Sequence, residues 1–164
     1  MAALEKGSMA PGFQLEDLDE KTRSLDDLES GDLLLLVFYH SGCPTCQMAM
    51  PFIGNLARGV KATNVMIWGV SQDEEDESER FAQVKGLSEM PVMVDAEPYP
   101  VSQAYGLTNV PTLFLIDSER RIIDQSVGFA SVDFVRFAQD VAKHAGIKTP
   151  DIFAGQNPPP VAYG

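Results

Sequence analysis

Hydrophobic residues form separate runs along the chain, and their spacing predicts alternating strands and helices. Leu33–Tyr39 is apolar at every position, a pattern typical of a strand covered on both faces in a parallel sheet. Apolar residues at helical spacing follow in 47–58, and two further apolar runs, Val65–Val70 and Pro91–Asp95, predict buried strands that are each followed by a helix. This order predicts an α/β domain.

The second half of the chain predicts a strand pair and a closing helix. Val110–Asp117 has a strand pattern, and 121–129 is its predicted hairpin partner across a short polar turn. The sheet should therefore be mixed. Ser131 is the expected N-cap of a helix that ends at Gly146 and covers one face of the sheet.

The segments outside this pattern are shorter and more polar. Two extended pieces around an acidic turn, 10–18 and 21–25, predict a small N-terminal hairpin. The stretch Asn157–Pro160 cannot lie inside a helix or a central strand. The predicted boundaries are a disordered N-terminus over 1–9, one domain over 10–147 and an extended Pro-rich C-terminal tail over 148–164.

Length and charge restrict the class of protein. A chain of 164 residues with 45% hydrophobic content can bury a core as a single domain. No apolar run approaches the roughly 20 residues that span a bilayer, and no signal peptide is visible, so we expect a cytoplasmic protein, with an exported mature domain as the alternative. A net charge of −12 argues against nucleic acid and membrane partners. Much of the charge lies in 73–79, which we expect to be a solvated helix start.

The only two cysteines, Cys43 and Cys46, lie in a Cys-Pro-Thr-Cys sequence shortly after the apolar run 33–39. A strand followed by a turn that opens a helix places the first sulfur at a helix N-terminus, where free amide groups and the helix dipole favour the thiolate. We expect Cys43 to attack a substrate disulfide and Cys46, one turn later, to resolve the mixed disulfide.

This cysteine pair and several other motifs together resemble thioredoxin-fold proteins of the TlpA/ResA type, in the redoxin (AhpC/TSA) superfamily. The likeness covers about 10–146. Its motifs are Ala10-Pro11-Gly12-Phe13, the strand followed by Cys-Pro-Thr-Cys, Pro51, Tyr105-Gly106-Leu107, Val110-Pro111-Thr112 and Phe114-Leu115-Ile116-Asp117. The resemblance implies a thioredoxin-like α/β fold, with a central mixed β-sheet flanked by helices and an N-terminal hairpin extension.

The resemblance also implies a substrate-binding site. In that family the proline of the Val-Pro-Thr segment is cis and lies beside the active-site disulfide, and here it would be Pro111. The backbone of Val110 would pair with a bound substrate chain, since an extended edge beside the sulfurs can recruit a strand by main-chain hydrogen bonds. Pro44 and Thr45 complete the expected substrate-binding residues.

The chain departs from these relatives at positions near the sulfurs. Val37 stands where ordinary thioredoxins have a buried acid, Ala49 where ResA-like proteins have a glutamate, and Gly42 where a tryptophan is usual. No carboxylate proton acceptor for Cys46 is evident. His40 is the candidate that could modulate the thiolate, the alternative being a loop histidine without catalytic duty.

Three classes of function fit these residues. The first is a thiol-disulfide oxidoreductase that exchanges disulfides with protein substrates, acts as a reductant with a thiol electron donor, and is a monomer without metal or organic cofactor. The second is a peroxiredoxin-like peroxidase with Cys43 peroxidatic and Cys46 resolving, although His40 stands where that family has a threonine. The third is a non-catalytic thioredoxin-like scaffold or a zinc site, for which the chain offers few ligands.

Overall fold

The computed structural model describes residues 2–164 and contains the alternating elements that the sequence predicts. The strands are β1 (Gln14–Glu16), β2 (Thr22–Ser24), β3 (Leu33–Tyr39), β4 (Val65–Ser71), β5 (Val92–Val94), β6 (Thr112–Asp117), β7 (Ile122–Val127), β8 (Phe129–Ala130) and β9 (Val161–Ala162). The α-helices are α1 (Pro44–Gly59), α2 (Glu75–Lys85), α3 (Pro100–Ala104) and α4 (Ser131–Ala145). Over residues 2–164, none of these helices has both the length and the apolar character needed to cross a bilayer.

Five strands form the central sheet in the order β5-β4-β3-β6-β7. Strand β3 is parallel to β4 and antiparallel to β6, which confirms a mixed sheet flanked by helices. The predicted N-terminal hairpin is the antiparallel pair β1 and β2. The register places Tyr39 opposite Ser71, so the segments after β3 and β4 leave the sheet at one edge. The cysteine sequence follows β3 at this edge.

The central strand separates two apolar cores. Leu34, Leu36 and Phe38 belong to the core that contains Trp68, whereas the odd-numbered residues of β3 belong to the core formed with α1 and α4. All residues of β3 are buried. A strand covered on both faces is the arrangement that its uninterrupted apolar run predicts.

Replacing Val37 in this strand by Ala should lower the free energy of unfolding by about 2–3 kcal/mol, because the buried methyl groups are lost and a cavity remains. Val37 is 0% exposed. The same change at Val132, which is 72% exposed on α4, should alter stability by no more than about 0.5 kcal/mol. Urea unfolding of both variants measures the difference, and equal losses would contradict the assignment of Val37 to the core.

Residues 2–9 lie against the domain, in contrast to the disorder expected over 1–9, of which Met1 lies outside the described residues. The amide of Leu4 donates to the carbonyl of Tyr105 at 3.1 Å, and the amide of Gly7 donates to that of Ile122 at 2.7 Å. Ala3 is buried in the core that contains Trp68. These main-chain hydrogen bonds order the segment although its side chains give little sequence signal.

Helix α4 begins one residue away from its expected cap. Its N-cap is Ala130, which provides no side-chain hydrogen bond, and Ser131 is the first helical residue. Gly146 ends the helix in the left-handed conformation, as predicted. Ala130 occupies the N-cap position because it is the last residue of β8, and the chain passes directly from this strand into the helix.

The tail over 148–164 runs back along α1. Ile152 is buried and its carbonyl accepts a hydrogen bond from Nδ2 of Asn55 at 2.7 Å. Phe153 packs edge to face on Phe52, with ring centroids 4.8 Å apart. Beyond an exposed stretch, the tail returns as β9, which pairs with β8. The extended tail predicted from its prolines is therefore draped on the domain.

Candidate active site

Cys43 lies at the point where the chain leaves β3 and enters α1. It is the N-cap of α1, and its sulfur accepts a hydrogen bond from the amide of Cys46 at 3.3 Å. Pro44 occupies the first turn, where its missing N–H leaves no unsatisfied donor. The Cys43 thiol is half-buried and free. A helix N-terminus stabilises negative charge, so this position suits a sulfur that reacts as thiolate.

Cys46 lies one turn further along the helix and is inaccessible to solvent. Both cysteines are free thiols, and Cys46 is 0% exposed. Burial raises the pKa of Cys46 well above its usual value, and the neighbouring Cys43 and Asp73 raise it further, while the main-chain amide of His40 partly opposes the rise. The two sulfurs therefore differ in access in the way that a nucleophile and a resolving thiol require.

The residues expected to bind substrate are beside Cys43. The peptide bond between Val110 and Pro111 is cis, as the resemblance implies. The Cys43 thiol donates to the carbonyl of Val110 at 3.5 Å. Thr45 is buried, with its hydroxyl directed at the C-terminal tail. Val110 contacts the Cys43 sulfur directly, while Pro44 and Thr45 follow Cys43 in the chain and Pro111 follows Val110. Their part in substrate binding stays a prediction.

A buried carboxylate lies below the loop that precedes Cys43. Asp73 is 8% exposed, which corrects the expectation that the whole acidic run over 73–79 is solvated. Its oxygens accept from the Ser41 amide at 2.9 Å, from the Ser41 hydroxyl at 2.9 Å and from the Ser71 hydroxyl at 3.2 Å. Charge-assisted hydrogen bonds of this kind hold the loop between β3 and α1 onto the end of β4.

His40 joins this network through its ring. The amide of Gly42 donates to Nδ1 at 2.9 Å, so Nδ1 has no proton and the neutral ring carries it on Nε2. Nε2 lies 3.3 Å from Oδ1 of Asp73, within ion-pair distance of that carboxylate. None of the described hydrogen bonds of this ring reaches a sulfur. The ring therefore positions the loop, and a direct action on the thiolate stays a prediction.

Gly42 has space for a side chain only if the ring of His40 moves. A Cβ atom there would lie 2.9 Å from Cε1 of the His40 ring. The ring covers the position where relatives of the TlpA/ResA type usually have tryptophan. The departure from the family pattern at Gly42 therefore makes room for the ring of His40.

Sequence reasoning missed Asp73 and Ser41 as part of the site. A usable signal existed, since Asp73 follows the predicted buried strand 65–70 by three residues and Ser41 follows the predicted strand 33–39 by two. The carboxyl ends of adjacent parallel strands meet at one edge of a sheet, which would have placed these residues together. The strong acidic run in which Asp73 lies hid this relation.

Comparison of the sequence with known families gives one match to most of the chain. The model of the AhpC/TSA family matches residues 6–125. The thiol-disulfide oxidoreductase ResA of Bacillus thuringiensis (strain Al Hakam) is 32% identical over 126 residues, covering 76% of this chain and 71% of that protein. The ResA protein of Bacillus subtilis (strain 168) is 31% identical over 127 residues, covering 77% and 69%.

Solved structures agree with these relatives in fold. A candidate thiol:disulfide interchange protein DsbE of Chlorobium tepidum superposes with a TM-score of 0.76 at 26% identity, covering 87% of this chain and 99% of that one. The thioredoxin domain of a thiol-disulfide oxidoreductase from Bacteroides vulgatus superposes with a TM-score of 0.72 at 22% identity, covering 84% and 98%. The fold is thioredoxin-like, as expected from the sequence.

Proposed function

The chain belongs to the AhpC/TSA family and is a thiol-disulfide oxidoreductase, and from this premise we propose that it reduces disulfides of protein substrates through Cys43 and Cys46. The observation that carries the proposal is the half-buried sulfur of Cys43 at the start of α1, with the buried Cys46 one turn away. The relatives named thiol-disulfide oxidoreductase ResA support this class of reaction.

The first step is attack by the Cys43 thiolate on one sulfur of a substrate disulfide. The substrate S–S bond breaks, a Cys43–substrate disulfide forms, and the second substrate sulfur leaves as a thiolate that takes up a proton. The amide of Cys46, which donates to the Cys43 sulfur, favours the charged nucleophile before attack.

The second step releases the substrate. Cys46 loses its proton and attacks the sulfur of Cys43, so that a Cys43–Cys46 disulfide forms and the substrate leaves as a thiol. The substrate gains two electrons and two protons, and an external thiol donor returns the chain to the dithiol. Because the pKa of Cys46 is raised by burial, this step should be the one that depends most on pH.

The binding surface for the substrate is the main chain beside Cys43. The carbonyl of Val110 lies 3.5 Å from the sulfur of Cys43, and the hydroxyl of Thr45, two residues after Cys43, donates to a main-chain carbonyl of the tail. An extended polypeptide can use such groups without regard to its side chains. Protein disulfides in extended segments are therefore the proposed substrates.

A peroxidase is the second function that the Cys-Pro-Thr sequence suggests. A peroxidatic cysteine is commonly served by a nearby cation, but the described arginines have their partners elsewhere. These arginines are Arg23, Arg58, Arg80, Arg120, Arg121 and Arg136.

Within residues 2–164, no group of three or more His, Cys, Asp or Glu is arranged to hold a metal ion. We propose that the dithiol is the redox group, without metal or organic cofactor.

The test compares three measurements on the purified chain. Insulin-disulfide reduction with dithiothreitol should be catalysed, and hydrogen peroxide should be consumed more slowly under the same conditions. Equilibration with glutathione should give a potential below about −220 mV, as a reductant requires. Peroxide turnover that equals or exceeds insulin reduction would replace the proposal with the peroxidase, and a potential near −120 mV would reverse its direction.

A further inference from the structure

The last residues of the tail lie on the surface assigned above to the substrate. The hydroxyl of Thr45 donates to the carbonyl of Tyr163 at 2.6 Å. Nδ2 of Asn109 donates to the carbonyl of Gly164 at 3.0 Å. The backbone of Gly164 is so close to Val110 that a Cβ atom on it would collide with the Val110 carbonyl. That carbonyl is the one that accepts from the Cys43 thiol.

The tail reaches this position as an added strand. Strand β9 pairs antiparallel with β8, with Phe129 opposite Ala162 and Ala130 opposite Val161. The amide of Ser131 donates to the carbonyl of Pro160 at 2.9 Å. Main-chain pairing of this type is how an extended peptide binds to an exposed sheet edge.

Two parts of the tail are held separately. The first part is fixed by Ile152 in the core and by Phe153 on Phe52. A stretch over 154–157 is exposed, and 160–164 then return to the sulfur. Because the anchor is remote from the returning segment, residues 160–164 can leave the site while the tail stays attached and close by.

We propose that residues 160–164 are a resident competitor that occupies the substrate-binding surface and that a substrate must displace before Cys43 can react with it. The inference rests on the proposed function, since the competitor and the substrate use the same groups of Thr45 and Val110. A competitor within the same chain lowers the apparent affinity by the fraction of molecules in which the site is open. Small reagents, which need no strand pairing, are not excluded, because Cys43 is only half-buried.

Two tail variants separate this competition from a change of charge. Ala162→Asp places a carboxylate on a side chain that packs against the apolar core, whereas Val161→Asp places the same charge on a side chain that is 49% exposed. Only the first should release the tail. Hydrogen exchange of the Ser131 amide reports the release, because that amide is bound to Pro160.

The reaction probe is a peptide of about ten residues whose cysteine is disulfide-bonded to thionitrobenzoate. Attack by Cys43 on the peptide sulfur forms the mixed disulfide and releases coloured thionitrobenzoate, so atoms and electrons balance. We expect Ala162→Asp to react about tenfold faster than the parent chain and Val161→Asp to react at the parent rate. Alkylation of Cys43 by iodoacetamide should change by no more than about twofold in either variant.

Each other outcome has a separate meaning. An unchanged peptide rate with a released tail would overturn the competition and leave the proposed function intact. A slower rate would show that the tail is part of the substrate platform, which also overturns it. Failure of every form to react with the peptide while iodoacetamide reacts would refute the proposed function itself. If Ser131 stays protected in Ala162→Asp and also in Gly164→Val, the tail cannot be displaced and the inference is wrong.

Discussion

Replacing Cys43 by Ser should lower the rate of disulfide reduction about a thousandfold or more, because near neutral pH a hydroxyl is a far weaker nucleophile than a thiolate. The half-buried sulfur at the start of α1 is the atom that an incoming disulfide can reach. No mixed disulfide should form with the variant. The release of thionitrobenzoate from a peptide disulfide measures this step directly.

Replacing Cys46 by Ser should instead stop the reaction after the first step. Attack by Cys43 is retained, but the resolving sulfur is missing, so the chain should accumulate as a covalent adduct with the substrate. Mass spectrometry should show the sum of the two masses, and dithiothreitol should release both components. Because Cys46 is fully buried, Cys46→Ala serves as a second variant that avoids placing a hydroxyl in the core.

The two variants together test the order of the cysteines. An adduct that forms with Cys43→Ser and not with Cys46→Ser would reverse their roles. Equal rates in the parent chain and Cys43→Ser would refute a dithiol mechanism. Thermal unfolding of each variant separates loss of the nucleophile from loss of the fold.

The central sheet could be predicted from the sequence because one physical pattern dominated it. An uninterrupted apolar run such as Leu33–Tyr39 is unstable on a surface, so it indicates a strand buried on both faces. The position of Cys43 at the start of α1 followed from the same order of strand, turn and helix. The cis peptide bond before Pro111 was predictable only from the family resemblance.

The contacts made by isolated polar side chains could not be predicted in the same way. Asp73 lies in a run of acids whose composition indicates solvent exposure, and only the parallel register of β3 and β4 buries it under Ser41. The position of His40 shortly before Cys43 predicts a role at the sulfur, but its ring accepts from the Gly42 amide and lies 3.3 Å from Asp73. Proximity in sequence did not determine where the side chain lies.

The sequence of the tail determines its structure least directly. Its prolines exclude helix and central strand, which leaves both disorder and surface docking possible. Docking depends on long-range contacts, among them Ile152 in the core and Tyr163 on Thr45. The N-terminal segment is ordered for the same reason, by main-chain hydrogen bonds from Leu4 and Gly7 to distant residues that its own sequence does not indicate.

The second large effect is expected at Asp73, which we regard as a positioning residue. Asp73→Asn removes a charge that accepts hydrogen bonds from Ser41 and Ser71 and lies 3.3 Å from the His40 ring. The side chain of Asn has one acceptor oxygen and cannot accept all of these hydrogen bonds. The free energy of unfolding should fall by about 2–4 kcal/mol. Attack by Cys43 should slow about tenfold or more, since the loop that carries it loses its anchor.

Asp76→Asn is the matched control, because it is the same chemical change on an exposed residue three positions later in the first turn of α2. It should cost less than about 1 kcal/mol and leave the rate unchanged. Urea unfolding and single-turnover release of thionitrobenzoate measure both quantities. Equal effects at the two positions would show that general loss of charge, and not the buried network, is responsible.

The pH dependence of the second step separates positioning from a general loss of structure. The charge of Asp73 disfavours a thiolate at Cys46 and so contributes to the raised pKa of that residue, although burial is the larger cause. Removing the charge should lower the pKa of Cys46, so the profile for resolution of the mixed disulfide should move to lower pH. Below this pKa the rate should still rise about tenfold per pH unit, because the thiolate fraction does. A loosened fold alone would scale the rate at every pH without moving the profile, and that result would exclude an electrostatic link between Asp73 and the buried sulfur.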